Sequence, residues 1–182
     1  MRVRRKLIQT SAEELLRKNR ISSAPVDIEK IAKSLRIRVI RQSAEDDLAG
    51  FLLRDSDKNT ALIGVNENHH PNRQRFTIAH EIGHFCLHNY QGVHFDGKNT
   101  GLQVHLRDDK SAEGTNIEER EANLFAAELL MPKILLEKDL AAIKEIYLLD
   151  ENDQSIKNLA RNYHVSVRAL TYRLANLGYI EL

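Results

Sequence analysis

The chain has 182 residues, of which 27 are basic and 26 acidic, for a formal net charge of +1. That length fits one domain, or one domain with a small appendage, and the balanced charge gives no general signal for nucleic acid or a membrane surface. No apolar run approaches a membrane span, no signal-peptide core follows the basic start Met1 to Lys6, and the single cysteine, Cys86, cannot form an internal disulfide. Together these predict a cytoplasmic protein.

Residues 10–20 read as a helix, with Thr10 or Ser11 as its cap and Leu15 and Leu16 facing inward. After the loop Ser22-Ser23-Ala24-Pro25, a second helix starts near Asp27, its apolar positions Ile28, Ile31, Ala32 and Leu35 following the helical period. Ile37 to Ile40 alternates as a short strand. Ala49 to Leu53 and Ala61 to Val65 are two further apolar runs. The polar stretch Arg54-Asp55-Ser56-Asp57-Lys58-Asn59 between them makes a β-hairpin. A helix follows from about Asn72 to His88. Cys86 lies on its far side from His80 and reads as core packing. Tyr90 to Thr115 is rich in glycine and polar residues and reads as a long loop beside the next feature. Thr115-Asn116-Ile117-Glu118 has the capping-box pattern and opens a helix ending at Met131-Pro132. Another helix covers about Lys133 to Ile146, and Asp150 to Gln154 is a polar linker. Ser155 to Leu182 reads as two short helices around a turn at His164-Val165.

The chemistry is concentrated in Ala79-His80-Glu81-Ile82-Gly83-His84. Residues four apart on a helix share a face, one turn up, so both imidazoles can reach one zinc ion. Glu81 stands beside them to act on a water. The flanking residues Phe76, Ile78, Ala79, Ile82, Phe85 and Leu87 are apolar on most sides, so the helix is expected to be buried. Buried imidazoles need partners. Gly83 costs about 1 kcal/mol relative to Ala in mid-helix, which makes sense where another backbone or a substrate comes close.

A catalytic zinc commonly takes three protein ligands and a water. A histidine six residues after His84 would complete a metzincin motif, but Tyr90 stands there. The alternative is a glutamate on a later helix, and Glu118, Glu119 and Glu121 are the candidates. Glu118 fits the capping box. Glu119 and Asn123 lie within about 40° of each other around the helix axis, on a stripe continued by Ala126 and Leu130, whereas Arg120, Glu121 and Glu128 fall on the opposite, polar side. An acid on an apolar stripe is costly unless paired or metal-bound, so Glu119 is the expected third ligand. Asn123 can accept a hydrogen bond from the second ring nitrogen of a ligating histidine. Ala126 and Ala127 are small enough to let the two helices approach. His88 is the rival ligand, but its direction drifts about 80° from that of His80. His69, His70 and His164 read as surface residues.

Arg75-Phe76-Thr77-Ile78-Ala79-His80-Glu81-Ile82-Gly83-His84, together with Glu119-Arg120-Glu121-Ala122-Asn123-Leu124-Phe125-Ala126-Ala127-Glu128-Leu129-Leu130-Met131-Pro132, resembles the ImmA/IrrE family of zinc metallopeptidases. Glu119, Ala122 and Asn123 match its Glu-x-x-Ala-Asn/Asp element. The resemblance covers about residues 15–135 well and the rest loosely. It implies an α+β fold: a small gluzincin-like domain in which a short sheet or hairpin packs on the two motif helices. Residues 1–150 form this zinc metallopeptidase domain, and 151–182 form a helix-turn-helix-like appendage. It also implies an endopeptidase that cuts a helix-turn-helix repressor and so induces mobile-element, prophage or stress genes.

In such a site Zn2+ lies on His80, His84 and Glu119, and Glu81 is the general base. Tyr90, His94 and His105 are the candidate oxyanion stabilisers. The competing reading is a non-catalytic regulator that binds a repressor or DNA. Ile156, Leu159, Ala160, Val165, Ala169, Leu170 and Leu174 give the C-terminal part a helix-turn-helix rhythm, with Arg161, Arg168 and Arg173 as its positive charge. Ordinary paired helices share that rhythm, and the intact His-Glu-x-x-His favours the enzyme.

Overall fold

The computed structural model describes residues 2–55, 60–88, 92–97, 109–142 and 154–181, with side chains described except at 92–97, 109–116 and 142. In chain order the elements are α1 (Arg5–Lys18), α2 (Ile28–Ser34), β1 (Ile37–Gln42), β2 (Leu48–Asp55), β3 (Thr60–Asn66), α3 (Pro71–Leu87), β4 (Gly92–Gly97), α4 (Asp109–Leu130), α5 (Lys133–Ala142), α6 (Gln154–Tyr163) and α7 (Val167–Asn176). The fold is α+β. The strands form one mixed sheet in the order β1-β3-β2-β4. β1 runs parallel to β3 (Ile37 opposite Ala61), and β2 is antiparallel to both β3 and β4.

β3 is an inner strand, and Ala61, Ile63, Val65 and Asn66 are buried along it. The Asn66 side chain organises the approach to β2. Its Nδ2 donates to the carbonyls of Ala44 (3.2 Å), Glu45 (2.9 Å) and Leu48 (3.0 Å), and its Oδ1 accepts from the Asn68 N–H at 3.1 Å. The buried Asn66 amide is thereby satisfied, and the largely exposed β1–β2 connection is pinned to the end of β3.

Helix α3 lies between β2 and β3 on one side and α4 on the other, and α1 packs on α4. Pro71 sits at its first position, suited by its fixed φ, and His70 Nδ1 accepts from the Asn72 N–H at 3.1 Å. A single core runs through both interfaces, with Ile78, Ala79, Ile82, Phe125, Ala126 and Leu129 all fully buried. Each large side chain of this kind contributes about 1.5–3 kcal/mol by burial. The helices meet at Gly83, where a Cβ would lie 3.1 Å from Ala122 Cα and 3.2 Å from Phe125 Cβ. The close backbone expected at this glycine is therefore that of α4, and the crossing falls at Ala122, one turn before Ala126.

Several local expectations give way to long-range contacts. Helix α1 begins at Arg5, not near Thr10 or Ser11, and has no side-chain cap. The Arg4 N–H instead donates to Glu121 Oε1 on α4 at 2.8 Å. The supposed loop after His88 contains strand β4, specified by its pairing with β2 and hidden in sequence between Gly92 and Gly97. Helix α4 starts at Asp109, so Thr115 lies inside it and not at its cap; Lys110, Ala112 and Glu113 are good helix formers. His69 is buried, its Nε2 3.1 Å from the Asp46 carbonyl. Cys86 is exposed, because the side of the last α3 turn away from His80 is left uncovered. Ser56 to Asn59, the end of the helix expected to reach Ile146, and the linker 150–153 lie outside the described residues.

The C-terminal helices join at His164, which has φ 52. The Ser166 side chain caps α7 by accepting from the Ala169 N–H at 3.1 Å. Tyr163 is fully buried and donates its hydroxyl to Asp139 at 2.8 Å. Burial, reinforced by that carboxylate, raises its phenol pKa. Arg173 is buried too. Its guanidinium donates to both Glu128 carboxylate oxygens, at 2.8 and 2.5 Å, and to the Met131 carbonyl at 3.1 Å. Of the three arginines in this unit, only Arg161 and Arg168 are exposed.

Candidate metal centre

His80, Glu81 and His84 occupy the middle of α3, exposed to 2%, 0% and 0%. Successive turns put the two rings edge to face, centroids 4.6 Å apart, with their Nε2 atoms 2.9 Å from each other. Glu119 comes from α4, its Oε2 3.2 Å from His80 Nε2 and its Oε1 3.4 Å from His84 Nε2. One donor atom from each residue falls within 4.8 Å of the others.

The donor set fits a zinc ion. With Zn–N and Zn–O distances near 2.0–2.1 Å, ligands at tetrahedral angles stand about 3.3 Å apart. The three closest approaches, two of them to different oxygens of Glu119, bracket that value. Two imidazole nitrogens and a carboxylate oxygen are also the ligand chemistry zinc takes in hydrolytic sites. Glu119 is one-third exposed, so the cluster lies at the edge of the buried interface and not wholly within it.

Both rings are held from behind. His80 Nδ1 lies 3.1 Å from Asn123 Oδ1, one turn along α4 from Glu119. His84 Nδ1 lies 3.1 Å from His88 Nδ1, and His88 Nε2 lies 3.1 Å from Glu121 Oε2. Arg4 closes the series, its Nη2 2.5 Å from Glu121 Oε2 and its Nε 3.0 Å from Oε1. Hydrogen bonding from Arg4 pulls the Glu121 pKa down from 4.5 to about 2, outweighing the upward push of burial. Arg4 Nη2 also donates to the Leu87 carbonyl at 3.2 Å, and Arg54 Nη1 donates to the His88 carbonyl at 3.1 Å. Two guanidinium groups therefore meet the last carbonyls of α3, at the end where positive charge is favoured.

Glu121 and Glu128 thus do not lie on a polar outer face. Glu121 is 1% exposed and Glu128 is largely covered, because the start of α1 and helix α7 close over the side of α4 that helix phase assigns to solvent. His88 stands behind His84 and is not among the converging donors. His94 lies on β4, its backbone opposite Leu52 of β2; Tyr90 and His105 lie outside the described residues. Sequence names Glu121 only as a ligand candidate set aside for Glu119, and neither its contact with His88 nor Arg4 behind it is foreseen. The series His80, His84, His88 at four-residue spacing was the available signal for a third imidazole, whereas nothing near Arg4 in sequence points to Glu121.

The arrangement defines a His-Glu-x-x-His candidate metal centre completed by a glutamate from a second helix. The IrrE N-terminal-like domain of the M78 peptidases matches residues 32–175, and the chain belongs to this ImmA/IrrE metallopeptidase family. It is 31% identical over 126 residues to "Uncharacterized immunity region protein 2" of Bacillus phage phi105, covering 69% of each chain. It is 29% identical over 129 residues to "Metallopeptidase ImmA" of Bacillus subtilis (strain 168), covering 71% of this chain and 64% of that protein. Among solved structures, a Mycobacterium tuberculosis transcriptional regulator shares the fold, with TM-score 0.57 and 19% identity over 92% of this chain and 46% of that one. No helix among the described residues is long and apolar enough to cross a membrane.

Proposed function

We propose that the protein is a zinc-dependent endopeptidase that cleaves a helix-turn-helix transcriptional repressor in the cytoplasm. The observation that carries this reading is the convergence of His80, His84 and Glu119 beside the buried Glu81 in a chain of the M78 family. Its likeness to a phage immunity-region protein and to ImmA supports a role in repressor control.

His80 and His84 would hold the metal through Nε2 and Glu119 through its carboxylate. When bound there, zinc supplies Lewis acidity and brings the pKa of a water toward about 7. Glu81 accepts the proton released as the nucleophile forms and returns it to the departing amine, so that one carboxylate acts as base and then acid. Asn123 holds the His80 ring by taking its Nδ1–H. On the α3 side His80, Glu81 and His84 are shut off from bulk water, which strengthens their electrostatic contacts, whereas Glu119 and Asn123 on α4 face the open edge of the site. His94, Tyr90 and His105 are kept as oxyanion candidates. Residues 1–150 carry the peptidase, and 151–182 serve as a packed appendage. The Arg173–Glu128 pair turns one of that unit's three arginines inward, which weighs against DNA reading.

The test is incubation of the zinc-loaded protein with candidate helix-turn-helix repressors from its own host, with and without a chelator, alongside Glu81→Gln. Chelator-sensitive cleavage is expected. Glu81→Gln should keep its metal and lose 10²–10⁴-fold in rate, a range typical of general-base loss. Stable repressor binding without cleavage by the zinc-loaded protein would favour the regulator reading and remove this one.

A further inference from the structure

We propose that His88, Glu121 and Arg4 form a positioning relay that sets the tautomer of His84 and so turns its Nε2 lone pair toward the donor cluster. The inference rests on His80, His84 and Glu119 being the metal ligands.

The direction of the relay follows from hydrogen-bond bookkeeping. The Glu121 carboxylate is clamped by the Arg4 guanidinium and by the Arg4 N–H, and a carboxylate only accepts. His88 Nε2, 3.1 Å from Glu121 Oε2, must therefore carry a hydrogen. In a neutral imidazole the other nitrogen is then an acceptor, so His88 Nδ1 offers its lone pair to His84 Nδ1 at 3.1 Å. His84 Nδ1 must in turn carry the hydrogen, leaving Nε2 bare where it faces His80 Nε2 and Glu119 Oε1. The reverse order fails at both ends. It would aim a lone pair of His88 at the carboxylate and an N–H of His84 into the donor cluster.

His80 reaches the same tautomer in one step, through the Asn123 carbonyl oxygen. The two rings on α3 are thus set by different routes, one short and local to α4, the other running back to the start of α1. His88, Glu121 and His84 are each at most 6% exposed, so water does not substitute readily for a lost member. Arg4 contributes by holding both carboxylate oxygens in place and by tying the acceptor to the end of α3 through the Leu87 carbonyl.

The test is zinc affinity by chelator competition on the full chain, with the Co2+ absorption spectrum as a second readout and circular dichroism to verify folding. His88→Leu removes the acceptor for His84 Nδ1. His88→Asn keeps a carbonyl oxygen close to where Nδ1 stood. His88→Leu should weaken zinc roughly 10–100-fold and alter the Co2+ spectrum, as loss of a ligand-orienting partner does. His88→Asn should restore affinity to within about threefold of the starting protein on the same argument. Glu121→Leu, which leaves the His88 Nε2–H no acceptor, covers the case in which His88→Leu does not fold, and a loss near the lower end of the same roughly 10–100-fold range is expected for it. Unchanged zinc affinity in folded His88→Leu or in folded Glu121→Leu would overturn the relay, as would a folded His88→Asn as weak as His88→Leu. If the starting protein takes up no zinc, or His84→Ala keeps it, the ligand assignment itself falls and the relay with it.

Discussion

Two stretches of helix α4 carry acids that meet different partners, one at the edge of the buried interface and the other beneath neighbouring elements. Near its middle, Glu119 turns its carboxylate toward two imidazole nitrogens at 3.2 and 3.4 Å. Two residues on, and again near the helix end, Glu121 and Glu128 each meet a guanidinium at 2.5 Å. Burying a carboxylate is tolerated where a fixed cation accompanies it. Glu121 and Glu128 carry that cation within the fold, so they act as clasps, joining α4 to the start of α1 and to α7. Glu119 meets two imidazole nitrogens, and the positive charge that would suit the trio is that of a metal ion. The same residue type is thus a fastener where a guanidinium opposes it and a candidate metal ligand where two imidazoles do.

The contrast breaks most sharply at Glu119. Glu119→Ala should abolish stoichiometric zinc binding, measured by metal analysis after dialysis, while the metal-free protein keeps its thermal midpoint or gains slightly; metal retained at full occupancy would move the third ligand elsewhere. The opposite pattern is expected of Arg173→Leu, which strands Glu128 beneath α7. A loss of about 3 kcal/mol in unfolding free energy is expected, the lower end for a broken buried pair because Glu128 keeps some solvent, with zinc affinity unchanged.

Arg4→Met tests the other clasp through pH. The Glu121 pKa lies near 2 in the fold against 4.5 as its ordinary value. A depressed carboxylate pKa adds stability that is complete above the ordinary value and is lost as pH falls through the folded one. Metal-free protein should therefore show an acid limb between about 4.5 and 2, and Arg4→Met should lose that contribution and begin unfolding at higher pH. Superimposed acid titrations of the two proteins, followed by circular dichroism, would refute the assignment. The smallest effect is expected at Gly83→Ala. Helix propensity gains about 1 kcal/mol, but forcing a methyl against the Ala122 backbone costs roughly 1–3 kcal/mol. Urea unfolding should show a net loss on the order of 1 kcal/mol.

Short-range signals made much of this legible from sequence. The spacing of His80 and His84 is a property of one helix turn, and the phase of Glu119 with Asn123 is a property of another, so both survive without knowledge of the fold. The hairpin β2–β3 and the start of α2, where the Asp27 side chain accepts from the Lys30 N–H at 3.0 Å, are local in the same sense. What escaped was set by distant partners. Arg4 lies 117 positions from Glu121, the start of α1 depends on that contact, and β4 depends on β2. The polar face assigned to Glu121 and Glu128 was right in helix phase and wrong in environment, because phase says which residues share a side but not what covers it.

The three converging donors belong to two helices far apart along the chain, and that has a thermodynamic consequence. An ion held by His80, His84 and Glu119 would be a removable cross-link between α3 and α4, absent from the unfolded chain. Metal at a hundredfold excess over its dissociation constant would then raise stability by about 2.7 kcal/mol. Availability of the ion would govern not only whether the centre can react but how long the folded chain persists.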